Sequence, residues 1–297
     1  MAAGERVNVV AGQKPADYHC SCEYCSQVIG ELRRPDGEYY HRLERRQYYV
    51  KEESGEKGHI AKTPLHIARW AVQAYTQPGD WVLDPTIGSG TTAVEALTQG
   101  RCAAGMELEY GAILAANVKK AVDGADGVEA HVAEGDARNI EPFLQDLGRE
   151  FALVLNNPPY LGDVSMPTPA KEGYGPEFRH LERRFDYDKT LPNLAFLHEN
   201  DEYWRTMAGI WGSCAARLKL GGHFVIGIKD TRKDHASTYL HRQFCDLLRD
   251  LGLTFVGTAF LKHHPTTFDQ NSYLKRHGGD PGGVLALYQT ISVFKRE

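Results

Sequence analysis

Hydrophobic positions change their pattern part-way along the chain. Up to about residue 60 they are scattered among polar residues and tyrosines, which predicts an irregular polar segment. From Thr63 onward helical and strand-like spacings alternate. Apolar residues at helical spacing predict helices over 64–75, 91–99, 110–122, 140–147, about 202–218 and 238–251. Short apolar runs predict strands over 81–83, 102–108, 128–132, 151–155, 223–228, 254–260 and 287–294. Pro64 opens the first helix, where its missing N–H costs nothing. Gly100 closes the second helix, and Gly221-Gly222 turn the long helix into the strand that follows. Strands alternating with helices predict an α/β fold built on a doubly wound, mostly parallel sheet. Only a loop separates the last two strands, so they are expected to pair antiparallel. No internal repeat is visible. The change of pattern divides the chain into an N-terminal extension, 1–58, and a main domain, 59–297.

Composition narrows the class. The chain has 297 residues, 42% hydrophobic and 25% charged, with a formal net charge of −5, which is ordinary for a soluble globular protein and unlike a polycationic nucleic-acid coat. No apolar run approaches the roughly 20 residues of a membrane span. The start, MAAGERVNVV, lacks the regions of a secretory signal. A cytoplasmic protein with no membrane partner is expected, and nothing here fixes its oligomeric state.

Candidate chemistry begins at VLDPTIGSGTTAVEAL, residues 82–97, which reads as strand, glycine turn and helix. Gly88 and Gly90 allow backbone to approach a ligand, and the N–H groups of the helix open toward it. Glu107, ending the next strand, is placed to accept from a ribose diol. Asp84 at the mouth of the loop would repel a pyrophosphate but attract a cationic amino or sulfonium group. Asp136, after the third strand, is placed to accept from an adenine amino group. Three acids at successive strand ends suit S-adenosylmethionine better than a dinucleotide, and no Gly-Lys-Ser/Thr of a phosphate-loop NTPase follows.

With these residues in view, the chain resembles the S-adenosylmethionine-dependent DNA amino-methyltransferases of the adenine-N6/cytosine-N4 type. The resemblance rests on DPTIGSGTT (84–92), GMELE (105–109), GDA (135–137), NNPPY (156–160), HIAKTPLHIARW (59–70) and the ending YQTISVFKRE. It implies a Rossmann-like methyltransferase sheet of seven strands with an antiparallel last strand. It also implies that Asp84, Gly88 and Gly90 hold the methionine moiety, Glu107 the ribose and Asp136 the adenine. The resemblance puts Lys62, Pro64, Thr86, Thr91, Ala137 and Asn157 in the same pocket. The motifs run from Lys-Pro segment to cofactor loop to catalytic tetrapeptide, whereas many family members with a GSGTT loop are circularly permuted.

Asn157-Pro158-Pro159-Tyr160 is the implied catalytic motif. An exocyclic amino nitrogen is a poor nucleophile because its lone pair is delocalised into the ring. Two acceptors around the NH₂, Asn157 Oδ1 and the Pro158 carbonyl, would orient that lone pair, with the carbonyl held by proline's locked φ. Tyr160 would stack on a base drawn out of its helix. Asn156 could serve in place of Asn157, though the family pattern favours the residue immediately before the first proline. The expected activity is methylation of a DNA base at an exocyclic amino group, adenine N6 first. Cytosine N4 is the nearest alternative, followed by an RNA base and by an inactive DNA-recognition subunit. Basic and aromatic residues in 161–198 (Arg179, Arg183, Arg184) and 262–285 (Lys262, Lys275, Arg276) mark both segments as candidate target-recognition insertions, suited to phosphate contact and base stacking.

Cys20, Cys22 and Cys25 form Cys-x-Cys-x-x-Cys beside His19. Three thiols within six residues suggest a metal, with His41 as the expected fourth ligand and His19 as the alternative. Structural zinc, an iron–sulfur site and unliganded thiols all remain open. Cys102, Cys214 and Cys245 fall within strand or helix patterns and read as core residues.

Overall fold

The computed structural model describes residues 6–12, 14–15, 18, 20–33, 63–159, 191–194, 197, 200–229, 231–233, 236–238, 240–262 and 288–297. Lys62, Tyr160, His19, His41, Arg179, Arg183, Arg184, Lys275 and Arg276 lie outside them, as do most of both candidate insertions.

The strands are β1 (Asn8–Val10), β2 (Val28–Arg33), β3 (Trp81–Asp84), β4 (Cys102–Glu107), β5 (Ala130–Glu134), β6 (Phe151–Asn156), β7 (Leu218–Lys229), β8 (Thr231–Lys233), β9 (Ala236–Thr238), β10 (Thr254–Lys262) and β11 (Tyr288–Lys295). The helices are α1 (Leu65–Tyr75), α2 (Thr91–Leu97), α3 (Gly111–Asp123), α4 (Ile140–Leu147), α5 (Asn200–Ala216) and α6 (His241–Asp250). Nine strands form one sheet in the order β1-β2-β10-β11-β7-β6-β3-β4-β5, and β8 and β9 form a separate hairpin. β11 runs antiparallel between β7 and β10, as expected for a last strand. The pairs β3–β4, β3–β6, β4–β5 and β6–β7 are parallel.

Side chains alternate across the sheet into two apolar layers, as parallel strands covered on both faces require. Leu153 and Leu155 of β6 face the layer built with Ile67, Trp70, Val94, Leu97, Leu114 and Val118 of α1, α2 and α3. Phe151 and Val154 face the other, with Ile140, Leu144, Tyr203, Met207, Trp211 and Phe244 of α4, α5 and α6. The chain leaves β3 toward β4 and β5 on one side, and β6 and β7 build the other side. The topological switch therefore lies between β3 and β6, where ligands of open α/β sheets bind beyond the strand ends.

Three expectations are corrected. The N-terminal segment is not irregular throughout: β2 pairs parallel with β10, from Val28 opposite Thr258 to Leu32 opposite Leu261, and β1 pairs with β2. The described part of the extension is thus an edge of the main sheet. Second, β7 begins at Leu218, before the glycine pair, because Leu218 already pairs with Phe151 of β6. The glycines make an irregularity inside the strand, where Gly221 has φ +77° and a Cβ on Gly222 would lie 2.9 Å from the Lys219 carbonyl. Third, the helix expected from 238 starts at His241, since Ala236–Thr238 is strand β9, paired with β8. Among the described residues no helix is long and apolar enough to cross a membrane.

Candidate active site

β3 ends at Asp84, β4 at Glu107 and β6 at Asn156. The parallel register, with Asp84 opposite Gly105 and Leu83 opposite Val154, brings these ends to one edge of the sheet. The loop from Asp84 to Thr91 crosses this edge. Gly88 (φ +57°) and Gly90 (φ +94°) take left-handed conformations that a side chain would strain. Gly105 is required for a different reason: a Cβ there would stand 2.5 Å from the Asp84 carbonyl oxygen. The Ile87 N–H donates to the Met106 carbonyl at 3.0 Å, which ties the loop to β4.

Asp84 is fully enclosed. Its Oδ2 accepts from the Thr92 hydroxyl at 2.6 Å, and its Oδ1 from the Asn156 side-chain amide at 3.1 Å and the Thr86 N–H at 3.2 Å. Burial raises its pKa to about 6 against the opposing effect of these three bonds, and the charge of Glu107 adds to the rise. Asp84 therefore knots the loop to α2 and β6 from within. Glu107 is buried too, and burial raises its pKa, although its Oε1 accepts from the N–H groups of Glu109 and Tyr110 at 2.9 and 3.1 Å. Asp136 caps the 3-10 turn Ala137–Asn139, accepts from the Arg138 N–H at 2.9 Å and is paired with the Arg138 guanidinium. Ala137 and Thr91 are buried, and Pro64 is the N-cap of α1.

The two asparagines before the prolines have different tasks. Asn156 is completely buried, and its Nδ2 donates to Asp84 Oδ1 and to Thr86 Oγ1 (2.8 Å). Its Oδ1 accepts from the Trp211 indole N–H at 2.9 Å. Both amide hydrogens and the oxygen thus have protein partners. Asn157 is half-buried, and its Oδ1 accepts from Gln289 Nε2 of β11 at a long 3.5 Å. A Cβ on Gly227 of β7 would stand 2.1 Å from that oxygen, so this strand position keeps the space Asn157 occupies. The Pro159 carbonyl accepts from the Tyr203 hydroxyl of α5 at 2.6 Å. Pro159 is held by α5 and Asn157 by the antiparallel strand.

Behind the loop, Arg69 of α1 and Glu95 of α2 form a buried two-pronged ion pair, 2.8 Å from Nε to Oε2 and 3.1 Å from Nη2 to Oε1. It fixes the helix after the Lys-Pro segment against the helix after the glycine loop. The Ser89 hydroxyl in the loop is buried and has no hydrogen-bond partner among the described residues. A buried hydroxyl of this kind, between two loop glycines, fits a polar ligand.

Sequence reading singled out the loop, the three acids and Asn157 as candidates. It did not find Gly105, Thr92, Trp211, Tyr203, Gly227 or Gln289, which reach the site from other elements. Lys262, expected at nucleic acid, lies over the Tyr288 ring, 5.2 Å from Nζ to its centre. Among the described residues Cys20, Cys22 and Cys25 converge on His241, a histidine the spacing did not suggest; the expected His41 and the alternative His19 lie outside the described residues.

Residues 11–118 match the family model of DNA methylases of the N6/N4 type, in accord with the resemblance drawn from the sequence. A 62-residue stretch is 42% identical to the Type II methyltransferase M.BglI of Bacillus subtilis, covering 21% of this chain and 18% of that protein. A 50-residue stretch is 42% identical to the Type II methyltransferase M.MthZI of Methanothermobacter thermautotrophicus, covering 17% and 14%. The matched segments thus span less than a fifth of these relatives' lengths. Among solved structures, the chain is similar to a precorrin-6y C5,15-methyltransferase from Geobacter metallireducens (14% identity, TM-score 0.46, covering 84% of this chain and 94% of that one). It is also similar to TrmN from Thermus thermophilus (17% identity, TM-score 0.42, covering 78% and 49%).

Proposed function

We propose that the protein is an S-adenosylmethionine-dependent methyltransferase acting on an exocyclic amino group of a DNA base, with adenine N6 as the acceptor. The division of labour between Asn156 and Asn157 carries this reading. Asn156 has both amide hydrogens and its oxygen engaged in the scaffold, so among the described residues the side-chain oxygen left at the end of β6 with a single long bond is that of Asn157. An amide acceptor followed by two prolines suits an NH₂ substrate, which offers two donors and carries no charge.

The glycine cradle, the buried Ser89 hydroxyl and the strand-end acids Glu107 and Asp136 fit S-adenosylmethionine, and Pro64, Thr86, Thr91 and Ala137 are assigned to the same pocket. When bound, it supplies a methyl group made electrophilic by its sulfonium. Asp84 shapes the loop that holds it. Asn157 Oδ1 and the Pro158 carbonyl accept from the target amino group, turning its hydrogens away from the ring plane and freeing the nitrogen lone pair. Tyr203 holds the Pro159 carbonyl, so the acceptors stay oriented at little entropic cost. Tyr160 supplies a face for the extruded base. The DNA methylase match over residues 11–118 and the Type II methyltransferase relatives support DNA as the substrate. Asparagine before Pro-Pro, where cytosine enzymes of the resembled family more often carry serine, favours adenine.

The test is transfer of a labelled methyl group to unmethylated DNA and to RNA, followed by mass spectrometry of the nucleosides, with Asn157→Ala as the control. N6-methyladenine in DNA, lost in the variant, is expected. N4-methylcytosine would correct the base, label confined to RNA would correct the substrate, and label surviving Asn157→Ala would remove the assigned acceptor.

A further inference from the structure

Cys20, Cys22 and Cys25 surround one ring nitrogen of His241, the first residue of α6. The sulfurs of Cys22 and Cys25 each lie 3.3 Å from its Nε2, that of Cys20 lies 3.6 Å away, and Cys22 and Cys25 are 3.6 Å apart. All four atoms fall within 4.8 Å of one another. A ring nitrogen has either one proton or one lone pair, so it can satisfy one thiol and not three. Convergence of all three upon it needs another centre. Zinc bonds of about 2.3 Å to sulfur and about 2.0 Å to nitrogen imply tetrahedral edges of about 3.8 Å between sulfurs and about 3.5 Å from sulfur to nitrogen. The three sulfur–nitrogen separations and the one between Cys22 and Cys25 lie close to those edges. A polynuclear iron–sulfur cluster would hold its ligands farther apart, because several metal ions and sulfides lie between them.

The surroundings fit a closed structural site. His241 is completely buried, and Cys20 and Cys25 nearly so. The other ring nitrogen, Nδ1, lies 3.4 Å from the Tyr18 hydroxyl, the kind of second partner that orients a ligating imidazole. Phe260, Tyr288 and Tyr18 wall the thiols with apolar surface. Cys25 N–H donates to the Cys22 carbonyl at 3.1 Å, so a tight 3-10 turn presents both thiols on one side. Four protein ligands leave no open position for a reacting water.

We infer that Cys20, Cys22, Cys25 and His241 bind one zinc ion tetrahedrally, and that this ion pins the N-terminal strands β1 and β2 to the C-terminal half of the domain. The thiols precede β2, which is bonded to β10, while the imidazole opens α6, which packs on the sheet face. The ion joins the sheet edge to that helix.

Elemental analysis of the full-length protein, produced with zinc supplied, should give one zinc per chain. Exchange with cobalt(II) should give the visible bands of a tetrahedral ion and thiolate charge transfer in the near ultraviolet. His241→Cys keeps four ligands and should retain one metal, with the charge-transfer intensity raised by roughly a third as thiolates go from three to four. Chelation should open the segment before β2 to limited proteolysis. Folded protein with substoichiometric metal, stoichiometric iron in place of zinc, or a charge-transfer intensity unchanged in His241→Cys would each overturn the ligand set. Loss of zinc on chelation with no change in proteolysis would overturn the pinning role.

Discussion

The amide of Asn156, at the end of β6, donates to the carboxylate of Asp84, at the end of β3, at 3.1 Å across the switch point. Through this bond the strand that carries the catalytic motif and the strand that carries the cofactor loop are fixed to each other. Asn156→Ala leaves the Trp211 N–H and one Asp84 oxygen without that partner, each loss costing about 1–3 kcal/mol. Asn157→Ala removes only a half-buried side chain with one long bond. The first variant should melt several degrees lower, whereas the second should melt with the wild type and lose about 10²- to 10³-fold in kcat. Thermal melts alongside methyl-transfer kinetics check both, and equal destabilisation of the two would contradict the assigned roles.

Asp84 gives a pH signature. Its pKa rises from the ordinary 3.8 to about 6 on folding, chiefly through burial. The folded state then holds the proton more tightly than the unfolded one, so Asp84's contribution to stability is fully present below about pH 4 and is lost as pH rises to about 6. A rise from 3.8 to about 6 corresponds to roughly 3 kcal/mol. Asp84→Asn preserves the contacts if its amide donates to Thr92 and its oxygen accepts from Asn156 and Thr86. Urea unfolding at pH 4 and pH 7 should show the variant gaining on the wild type by up to that amount. A difference independent of pH would contradict the shift.

Gly227 and Gln289 hold Asn157 from the C-terminal strands. Gly227→Ala would place a methyl in the space of Asn157 Oδ1, and activity should fall at least about 10²-fold through misplacement of the acceptor. Gln289→Leu should lower kcat about tenfold while leaving cofactor affinity unchanged, because the residue acts through Asn157. Isothermal titration with S-adenosylmethionine separates the two effects. Weakened cofactor binding in Gln289→Leu would place the residue elsewhere in the mechanism.

The Arg69–Glu95 pair should behave as a buried ion pair. Arg69→Met alone leaves the buried Glu95 carboxylate without its charged partner, with a long 3.5 Å bond from Gln99 Nε2 remaining, and should cost about 3–5 kcal/mol. The double variant Arg69→Met/Glu95→Leu should recover most of that loss. Denaturant titration of the two variants decides, and simple additivity of two losses would contradict the coupling.

The loop glycines, the three strand-end acids and the Asn-Pro-Pro-Tyr run were legible because each is a local pattern tied to one strand end. The roles of the two asparagines were legible in principle: Asn156 continues the two-residue alternation of Val154, whose face packs against α5, where Trp211 stands. β2 was missed because Gly30 interrupts its apolar run. That glycine has φ +152°, and a Cβ on it would stand 2.5 Å from the Val10 carbonyl oxygen. His241 could not be paired with the cysteines from spacing, since it is separated from Cys25 by 216 positions. Gln289 and Gly227 likewise reach Asn157 only through strand order.

The pairing of β2 with β10 also bears on the order in which the molecule is made. The Gln27 amide bonds to the Val256 carbonyl, 229 residues further along the chain. At synthesis rates of about 5–20 residues per second, the first strands leave the ribosome roughly ten to fifty seconds before their partner exists. During that interval β1 and β2 can pair with each other, but the edge of β2 that meets β10 has only water or a chaperone to bond with. β2, made well before its neighbour β10, is therefore among the last strands to reach its native place.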